Sequence, residues 1–246
     1  MRMTVKMKAG NRFIVGCVLM TLAGSALAGV GFSRNRMVYP QGSQSISLTV
    51  NNSGDNPYLI QGKVSTDTLG KASAPFIVTP PLFRLEGQQS AMLRLIMTGA
   101  NLPDDRETVF YFSGRAIPAS VPGEAKGDGI GASVSMSLRS VMKVFYRPKG
   151  LAMSQEQSVG KVAFTQTAKG VLIKNPTPYY QSFAELLFDG KPQNLDSEPS
   201  MVLPFGELLK PSAVLVSQVT WRVMNDYGGT TELKTQGVAS GTASVK

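Results

Sequence analysis

Apolar and polar residues alternate along short segments of this chain, and the segments are separated by Gly, Pro, Asn and Ser. Residues 45–50 read Ser-Ile-Ser-Leu-Thr-Val and end at a turn cluster over 51–54. Alternation with a period of two places the apolar side chains on one face of an extended strand. The 3.6-residue period of an amphipathic helix is not sustained. The pattern therefore predicts an all-β fold.

The same criteria predict strands in both halves of the chain. They cover residues 58–64, 92–97, 109–112, 141–146, 160–164, 170–173, 182–188, 213–219 and 231–234. About seven short strands per half, with turn residues between them, are typical of a β-sandwich. We therefore predict two domains, 29–150 and 151–246. The boundary follows Gly150, where a strand pattern stops and the polar stretch 154–158 begins.

The first 28 residues have the composition of a secretory signal peptide. Basic residues are followed by an apolar run over 13–22 and by Ala26-Leu27-Ala28, a small-x-small cleavage pattern. Cleavage after Ala28 would remove four of the 25 basic residues and none of the 16 acidic ones. The net charge would then fall from +9 to +5. We predict an exported protein.

The remaining composition excludes several functional classes. No later stretch has the roughly 20 apolar residues of a membrane helix, so no membrane insertion is expected. Lys and Arg are scattered, which argues against a nucleic-acid partner. The chain has no histidine, and its only cysteine, Cys17, lies in the predicted leader, so imidazole and thiolate chemistry are excluded. A carboxylate hydrolase would need two facing acids, and none are evident. We expect no enzyme, metal or cofactor.

Residues 133–145 form the most informative segment. Val134, Met136 and Leu138 fall on one face of an extended strand, with serines at the alternate positions. This pattern fits an ordinary strand that covers its own core. It fits equally well a strand that pairs with the sheet of another protein, because a long Gly- and Pro-rich segment, 118–132, precedes it. The residues alone leave both interpretations open.

Five motifs in the chain are those of a known family. They are Thr79-Pro80-Pro81 with Arg84-Leu85, Asp105-Arg106-Glu107, Lys143-Val144-Phe145-Tyr146-Arg147-Pro148, Lys174-Asn175-Pro176-Thr177-Pro178-Tyr179-Tyr180 and Asn225-Asp226-Tyr227-Gly228-Gly229. In this order they closely resemble the signatures of the periplasmic pilus chaperones, the PapD-like family. The resemblance spans nearly the whole predicted mature chain. It implies two immunoglobulin-like β-sandwiches in an L or boomerang arrangement, and a periplasmic location.

The resemblance also implies a binding site, carried over residue by residue. Val134, Met136 and Leu138 would fill the groove of a pilus subunit that lacks its own last strand. Arg36 and Lys143 would bind the C-terminal carboxylate of that subunit. Lys143 and Leu138 fall on opposite faces of a regular strand, so a bulge or twist is expected between them.

Structural roles follow from the same resemblance. Glu107, Arg147 and Asp226 would form an ion-pair network that joins the two domains, and Thr79-Pro80-Pro81 would be a turn that contains a cis peptide bond. The family has a long-loop branch with a cysteine pair. This mature chain lacks that pair, which favours the short-loop branch, although segment 118–132 is long for it.

The partners implied are pilus or fimbrial subunits and an outer-membrane usher, and a self-capping homodimer is also possible. The alternative is a pilus or surface structural subunit of β-sandwich fold. Such a subunit usually needs an N-terminal donor extension. Here the first strand is predicted at 30–39, directly after the leader. This difference favours the chaperone.

Overall fold

The computed structural model describes residues 29–119 and 136–240, and these residues form two β-sandwiches. The first sandwich contains β1 (Val30–Phe32), β2 (Arg36–Pro40), β3 (Ile46–Asn52), β4 (Tyr58–Ser65), β5 (Phe76–Thr79), β6 (Leu82–Leu85), β7 (Ser90–Met97), β8 (Thr108–Pro118) and β9 (Leu138–Arg147). The predicted leader, residues 1–28, lies outside the described residues, as does nearly all of segment 118–132.

Two sheets enclose the core of the first sandwich. One has the strand order β1-β3-β7-β5 and the other the order β2-β9-β8-β4-β6. Alternate residues of facing strands point inward, among them Leu48 of β3, Leu93 and Leu95 of β7 and Phe112 of β8, and all four are fully buried. The period-two pattern of the sequence therefore corresponds to one buried face per strand.

The second sandwich follows a short helix, α1 (Gln155–Val159). Its strands are β10 (Ala163–Thr167), β11 (Gly170–Lys174), β12 (Gln181–Phe188), β13 (Lys191–Pro192), β14 (Met201–Val202), β15 (Glu207–Pro211), β16 (Gln218–Val223), β17 (Lys234–Gly237) and β18 (Ala239–Ser240). The sheets run β15-β11-β10-β18 and β13-β12-β16-β17, and β14 also pairs with β12. Phe164 and Trp221 pack in a separate core with their ring centroids 4.7 Å apart. The all-β, two-sandwich prediction is confirmed.

The first predicted strand, 30–39, is in fact two strands in different sheets. β1 pairs antiparallel with β3, whereas β2 pairs parallel with β9 in the opposite sheet. The polar residues Ser33, Arg34 and Asn35 carry the chain across the edge of the sandwich between them. The alternation pattern missed this switch because both strands show the same side-chain period.

Part of the polar stretch 154–158 at the predicted domain boundary is helical. Ser154 is the N-cap of α1, and its hydroxyl accepts a hydrogen bond from the backbone N–H of Gln157 at 3.3 Å. The Gln157 side chain in turn accepts from the Ser154 backbone N–H, which completes a capping box. These reciprocal bonds satisfy donors that the first turn would leave unpaired, so a single polar turn of helix is stable here.

Three predicted strands begin later than expected, at Ala163, Gln218 and Lys234 rather than at 160, 213 and 231. Gly160 caps α1 and therefore cannot begin a strand. Before Gln218, the backbone N–H of Ser217 donates to the carboxylate of Asp189 instead of to a neighbouring strand. A side chain thus accepts a hydrogen bond from a backbone N–H group that would otherwise have paired with a neighbouring strand, so the strand begins later.

The Thr79–Pro80 peptide bond is cis, as the motif predicted. Within the described ranges, no helix has the length and apolar character that crossing a membrane requires.

Neighbouring residues of β7 provide a matched test of the core. Leu93 is fully buried, whereas Met92 is exposed on the outer face. Leu93→Ala should lower the free energy of unfolding by about 2–5 kcal/mol, because it removes buried methyl groups and leaves a cavity. Met92→Ala should change it by less than about 0.5 kcal/mol. Urea unfolding of both variants measures this, and equal losses would contradict the assigned orientation of β7.

Candidate functional site

Strand β9 is paired along only part of one of its edges. On one side it pairs with β8 from Leu138 to Tyr146. On the other side β2 pairs only with the residues from Lys143 to Arg147. Within the part of the chain that the structure describes, the first half of β9 therefore has one edge without a strand partner. Its unpaired N–H and C=O groups can accept another strand.

Two apolar side chains just before and at the start of this half of β9 are exposed. Met136 is 78% and Leu138 is 56% exposed. Leu138 has the same strand parity as Met142 and Val144, which are buried in the core, but it lies beyond the end of the core cluster. The described strand begins at Leu138 rather than at 133, so Met136 precedes it. Val134 lies outside the described residues.

The bulge expected between Leu138 and Lys143 is absent. The β8–β9 register runs without a shift from Leu138 to Tyr146. A regular strand places residues that are five positions apart on opposite faces of the sheet. Leu138 and Lys143 therefore lie on opposite faces without any bulge between them. Leu138 thus has the orientation of the core residues, while Lys143 projects from the other face of the sheet.

Arg36 and Lys143 are direct neighbours across two parallel strands. The β2–β9 register pairs their Cα atoms, and paired residues project to the same face. Arg36 is only 8% exposed, and its guanidinium lies over the Phe145 ring at 4.6 Å from the centroid. One Arg36 nitrogen, Nη1, donates to the backbone carbonyl of Met224 in the second sandwich at 3.0 Å. The Nε atom is buried and has no partner in the described structure.

Neither of these two cations has an ion-pair partner of its own among the described residues. Burial lowers the pKa of Arg36, and burial together with the nearby Arg36 lowers the pKa of Lys143. Glu107 and Asp226 oppose the effect on Arg36, but both form their short ion pairs with Arg147. No carboxylate among residues 29–119 and 136–240 forms an ion pair with either cation. The arrangement favours an added anion, which would offset the desolvation of both charges.

Arg147, the last residue of β9, connects the two sandwiches. Its Nε donates to Oε1 of Glu107 at 2.8 Å, and its two terminal nitrogens donate to the Asp226 carboxylate at 2.5 and 2.7 Å. Burial opposes the charged form of Arg147, but its own hydrogen bonds to the Asp226 and Glu107 carboxylates, together with their negative charges, outweigh burial and raise its pKa, so the guanidinium stays charged. The structure thus brings together the three residues predicted to form an interdomain network.

Glu107 is itself a bridge between the sandwiches. Its carboxylate accepts from the backbone N–H of Tyr180 at 3.0 Å, and its own backbone N–H donates to Pro178 O at 2.9 Å. Burial raises the pKa of Glu107, whose side chain is almost fully enclosed. The Phe145 and Tyr180 rings pack beside it with centroids 5.5 Å apart.

One further interdomain contact was not predicted from the sequence. The Asn35 side-chain amide donates to the carbonyl of Gly228 at 3.1 Å. Gly228 has φ of +86°, and a Cβ at this position would collide with the Asn35 amide. Glycine is therefore required both for the turn and for the close approach. The motif at 225–229 marked the turn, but no local pattern indicates which residue of the first sandwich it meets.

Models of one protein family match both halves of the chain. The N-terminal model, described as the pili and flagellar-assembly chaperone PapD N-terminal domain, matches residues 29–152. The model of the pili assembly chaperone PapD C-terminal domain matches residues 157–235.

Named relatives and solved structures agree with these models. The probable fimbrial chaperone protein ElfD of Escherichia coli O157:H7 is 39% identical over 221 residues, which covers 89% of this chain and 90% of the relative. HifB, a chaperone protein of Haemophilus influenzae, is 34% identical, with 85% and 88% covered. A chain in the structure of the Salmonella enterica SafA pilin in complex with the SafB chaperone superposes with a TM-score of 0.75 at 29% identity, covering 85% of this chain and 96% of that one. The E. coli chaperone DraB gives a TM-score of 0.74 at 33% identity, with the same coverage.

The interdomain network can be tested by removal of its central cation. Arg147→Met should lower the free energy of unfolding by about 3–5 kcal/mol, because the buried Glu107 carboxylate loses its partner. The control is Arg84→Met, which breaks an ion pair with Glu86 that lies in solvent and should leave stability unchanged. Chemical denaturation measures both variants.

The pH dependence of the Arg147→Met loss gives a second readout. Burial raises the pKa of Glu107, so the folded state of the variant favours the protonated carboxyl. The loss of stability caused by Arg147→Met should be complete at a pH above the pKa that Glu107 has in the folded state. It should disappear as the pH falls below the pKa that Glu107 has in the unfolded state. A loss of stability that is equal at neutral and acidic pH would show that Glu107 is not the origin of the effect.

Proposed function

Because this chain belongs to the PapD-like family of pilus assembly chaperones, we propose that it binds pilus or fimbrial subunits by lending them strand β9. It acts in the periplasm, where it prevents premature polymerisation and delivers subunits to an outer-membrane usher. Export depends on the leader, residues 1–28, and the subunit-binding domain is 29–150, followed by the second domain 151–246. The protein binds and releases other proteins and performs no catalysis.

The half-paired edge of β9 is the observation that carries this proposal. A pilus subunit that lacks its last strand has an open groove with unpaired backbone groups on its flanking strands. The edge of β9 from Leu138 to Met142 offers complementary backbone groups, and β2 does not cover them. Pairing satisfies both edges at once and blocks their association with other strands.

Apolar side chains supply the remaining affinity. Met136 and Leu138 are exposed in the free protein, and Val134 continues their spacing in the sequence. Transfer of each side chain from water into a subunit groove contributes about 1.5–3 kcal/mol. The alternating spacing matches successive pockets along one face of a sandwich. Binding of this kind needs no nucleotide, since the free energy comes from the interface itself.

Arg36 and Lys143 provide an anchor for the C-terminal carboxylate of the subunit. A guanidinium can hold a carboxylate through two parallel hydrogen bonds, and the unpartnered Nε of Arg36 leaves a donor available. Lys143 adds a mobile ammonium beside it on the neighbouring strand. Because both residues occupy fixed positions along β2 and β9, an anchored chain end sets which subunit pocket receives Leu138.

The network of Glu107, Arg147 and Asp226 holds the second sandwich against this anchor. Its contacts reach the same turn whose Met224 carbonyl accepts from Arg36. A rigid domain angle keeps the carboxylate site in one geometry, even when the net stabilisation from buried ion pairs is small. We assign these three residues a structural role.

The exposed edge also explains how the free protein can protect itself. Two copies can cover each other's β9 edges in a self-capping homodimer, which subunit binding would dissociate.

A structural subunit of the pilus, the alternative function, is disfavoured because the relatives of this chain are named chaperones. Size-exclusion chromatography should find a monomer or small oligomer and no polymer.

The donor-strand role is tested with a charge at Leu138. Leu138→Glu should abolish co-purification of the cognate subunit from periplasmic extracts, because a carboxylate would have to enter an apolar groove. Val214→Glu is the matched control, since Val214 is an equally exposed apolar residue of the second sandwich. A normal yield of complex with the Leu138 variant would refute the role of β9.

The anchor is tested with Arg36→Ala and Lys143→Ala. Each should leave folding intact and weaken subunit binding by about 2–5 kcal/mol, the cost of truncating one member of a buried charged pair. Arg94→Ala removes one exposed cation from the opposite sheet and serves as the control. Calorimetric titration with the subunit's C-terminal peptide, as free acid and as amide, gives the comparison. If the wild-type protein binds the amide as tightly as the acid, the carboxylate assignment is wrong.

A further inference from the structure

A second cationic site lies on the outer face of the five-stranded sheet that contains β9. It is a pocket of about 180 Å³ that opens between β4, β8 and β9. Six residues line it: Gln61, Lys63, Leu69, Ser113, Arg115 and Arg139. Three of the six are cationic and none is acidic. The pocket shares no residue with the cleft around Arg36.

Two arginines face each other directly in this pocket. The β8–β9 register pairs Arg115 with Arg139, and Lys63 of β4 pairs with Ser113, two residues along β8. Like charges at directly opposed positions destabilise a sheet. No ion pair involves any of these three cations within residues 29–119 and 136–240. The described residues therefore leave a local excess of positive charge on this face of the sheet.

The carboxylate of the bordering loop forms no ion pair with these cations among the described residues. This carboxylate, Asp67, accepts the backbone N–H groups of Lys71 and Ala72 at 3.2 and 2.7 Å, which closes the loop on itself. These hydrogen bonds lower the pKa of Asp67, so it remains ionised in that structural role.

Neutral oxygen atoms orient two of the cations. Arg139 donates from Nε to the Ser113 hydroxyl and from Nη2 to the carbonyl of Thr68, each at 2.8 Å. Lys63 donates to the Gly70 carbonyl at 2.6 Å. Gly70 has φ of +75°, and a Cβ there would lie 3.0 Å from the Lys63 side chain, so the turn packs directly against it. The acceptors are uncharged, so they fix the positions of both cations without cancelling their charge.

We propose that this pocket binds a phosphate group. Among the described residues the Arg115 guanidinium has no ion-pair partner, so it can offer paired hydrogen bonds to an oxyanion, while Lys63 and Arg139 add preoriented charge. The Ser113 hydroxyl accepts from Arg139 and retains its own proton for donation to a ligand. A phosphate monoester or diester offers several acceptor oxygens on a compact tetrahedral group, which matches donors that converge from three strands. Its source is either a lipid headgroup or a soluble phosphate ester.

The test uses the purified protein, without any pilus subunit, and is independent of the chaperone function. Inorganic phosphate and glycerol phosphate are titrated by calorimetry at low ionic strength, because salt screens exposed charges. Arg115→Ala and the double variant Lys63→Ala/Arg115→Ala are compared with Arg94→Ala, which removes the same charge from the outer face of the other sheet. Thermal unfolding verifies that all variants are folded. Sedimentation with phosphatidylglycerol vesicles, against phosphatidylcholine vesicles, tests the lipid source.

Arg115→Ala should weaken phosphate binding about tenfold or more, the loss expected for a hydrogen bond to a charged group, and Arg94→Ala should not. Sedimentation that depends on Arg115 would identify a lipid headgroup as the ligand, and phosphate binding without sedimentation would identify a soluble ester. The proposal fails if the wild-type protein shows no saturable binding at millimolar phosphate, or if both single variants lose affinity equally. It also fails if only an acidic peptide such as polyglutamate binds, since the pocket would then serve a protein partner.

Discussion

The parallel pairing of β2 with the second half of β9 is the constraint on which the rest of the structure depends. It places Arg36 beside Lys143, because parallel partners project to the same face. Because β2 has only five residues, its pairing with β9 covers Lys143 to Arg147 and no more. Within the described residues, the first half of β9 therefore keeps a free edge. One short ladder therefore determines both where a chain end can be anchored and where a foreign strand can add.

The same strand connects the binding edge to the second domain. β9 begins with the exposed Leu138 and ends with Arg147, whose guanidinium bonds to one carboxylate of each sandwich. The distance between any two residues of β9 is nearly fixed, because an extended strand has a nearly constant rise per residue and the register of β9 with β8 is unbroken. The proposed carboxylate anchor, the proposed donor edge and the interdomain contacts therefore lie at fixed positions along one strand.

Two faces of one sheet carry different chemistry because strand side chains alternate. Inward-facing positions of β8 and β9 fill the core, and the outward positions present cations at both ends of the sheet. At one end Arg36 donates a hydrogen bond to the second sandwich, with Lys143 beside it on the neighbouring strand. Arg115 and Arg139 form an open pocket further along. None of these four cations forms an ion pair within the described residues, and both proposed anion sites depend on this observation.

Local sequence determined much of this protein. The period-two pattern gave the all-β fold and most strand positions, because burial of one strand face is a short-range property. Five motifs indicated the family and with it the residues of the network, since turns and ion-pair positions have recognisable residue types. The helix at 155–159 and the division of 30–39 into two strands were missed. The helix was missed because a capping box stabilises a turn that has no apolar periodicity. The two strands were read as one because only three polar residues, 33–35, separate two segments with the same side-chain period.

Only the tertiary structure decided which groups meet. The pairing of Arg36 with Lys143, the contact of Asn35 with Gly228 and the convergence of Lys63, Arg115 and Arg139 join residues far apart in the chain. The free edge of β9 is likewise invisible in the sequence, because an unpaired strand has the same alternation as a paired one. Side-chain period is set by each residue and its neighbours, whereas strand order and register are set by long-range pairing, and the binding surfaces arise from the latter.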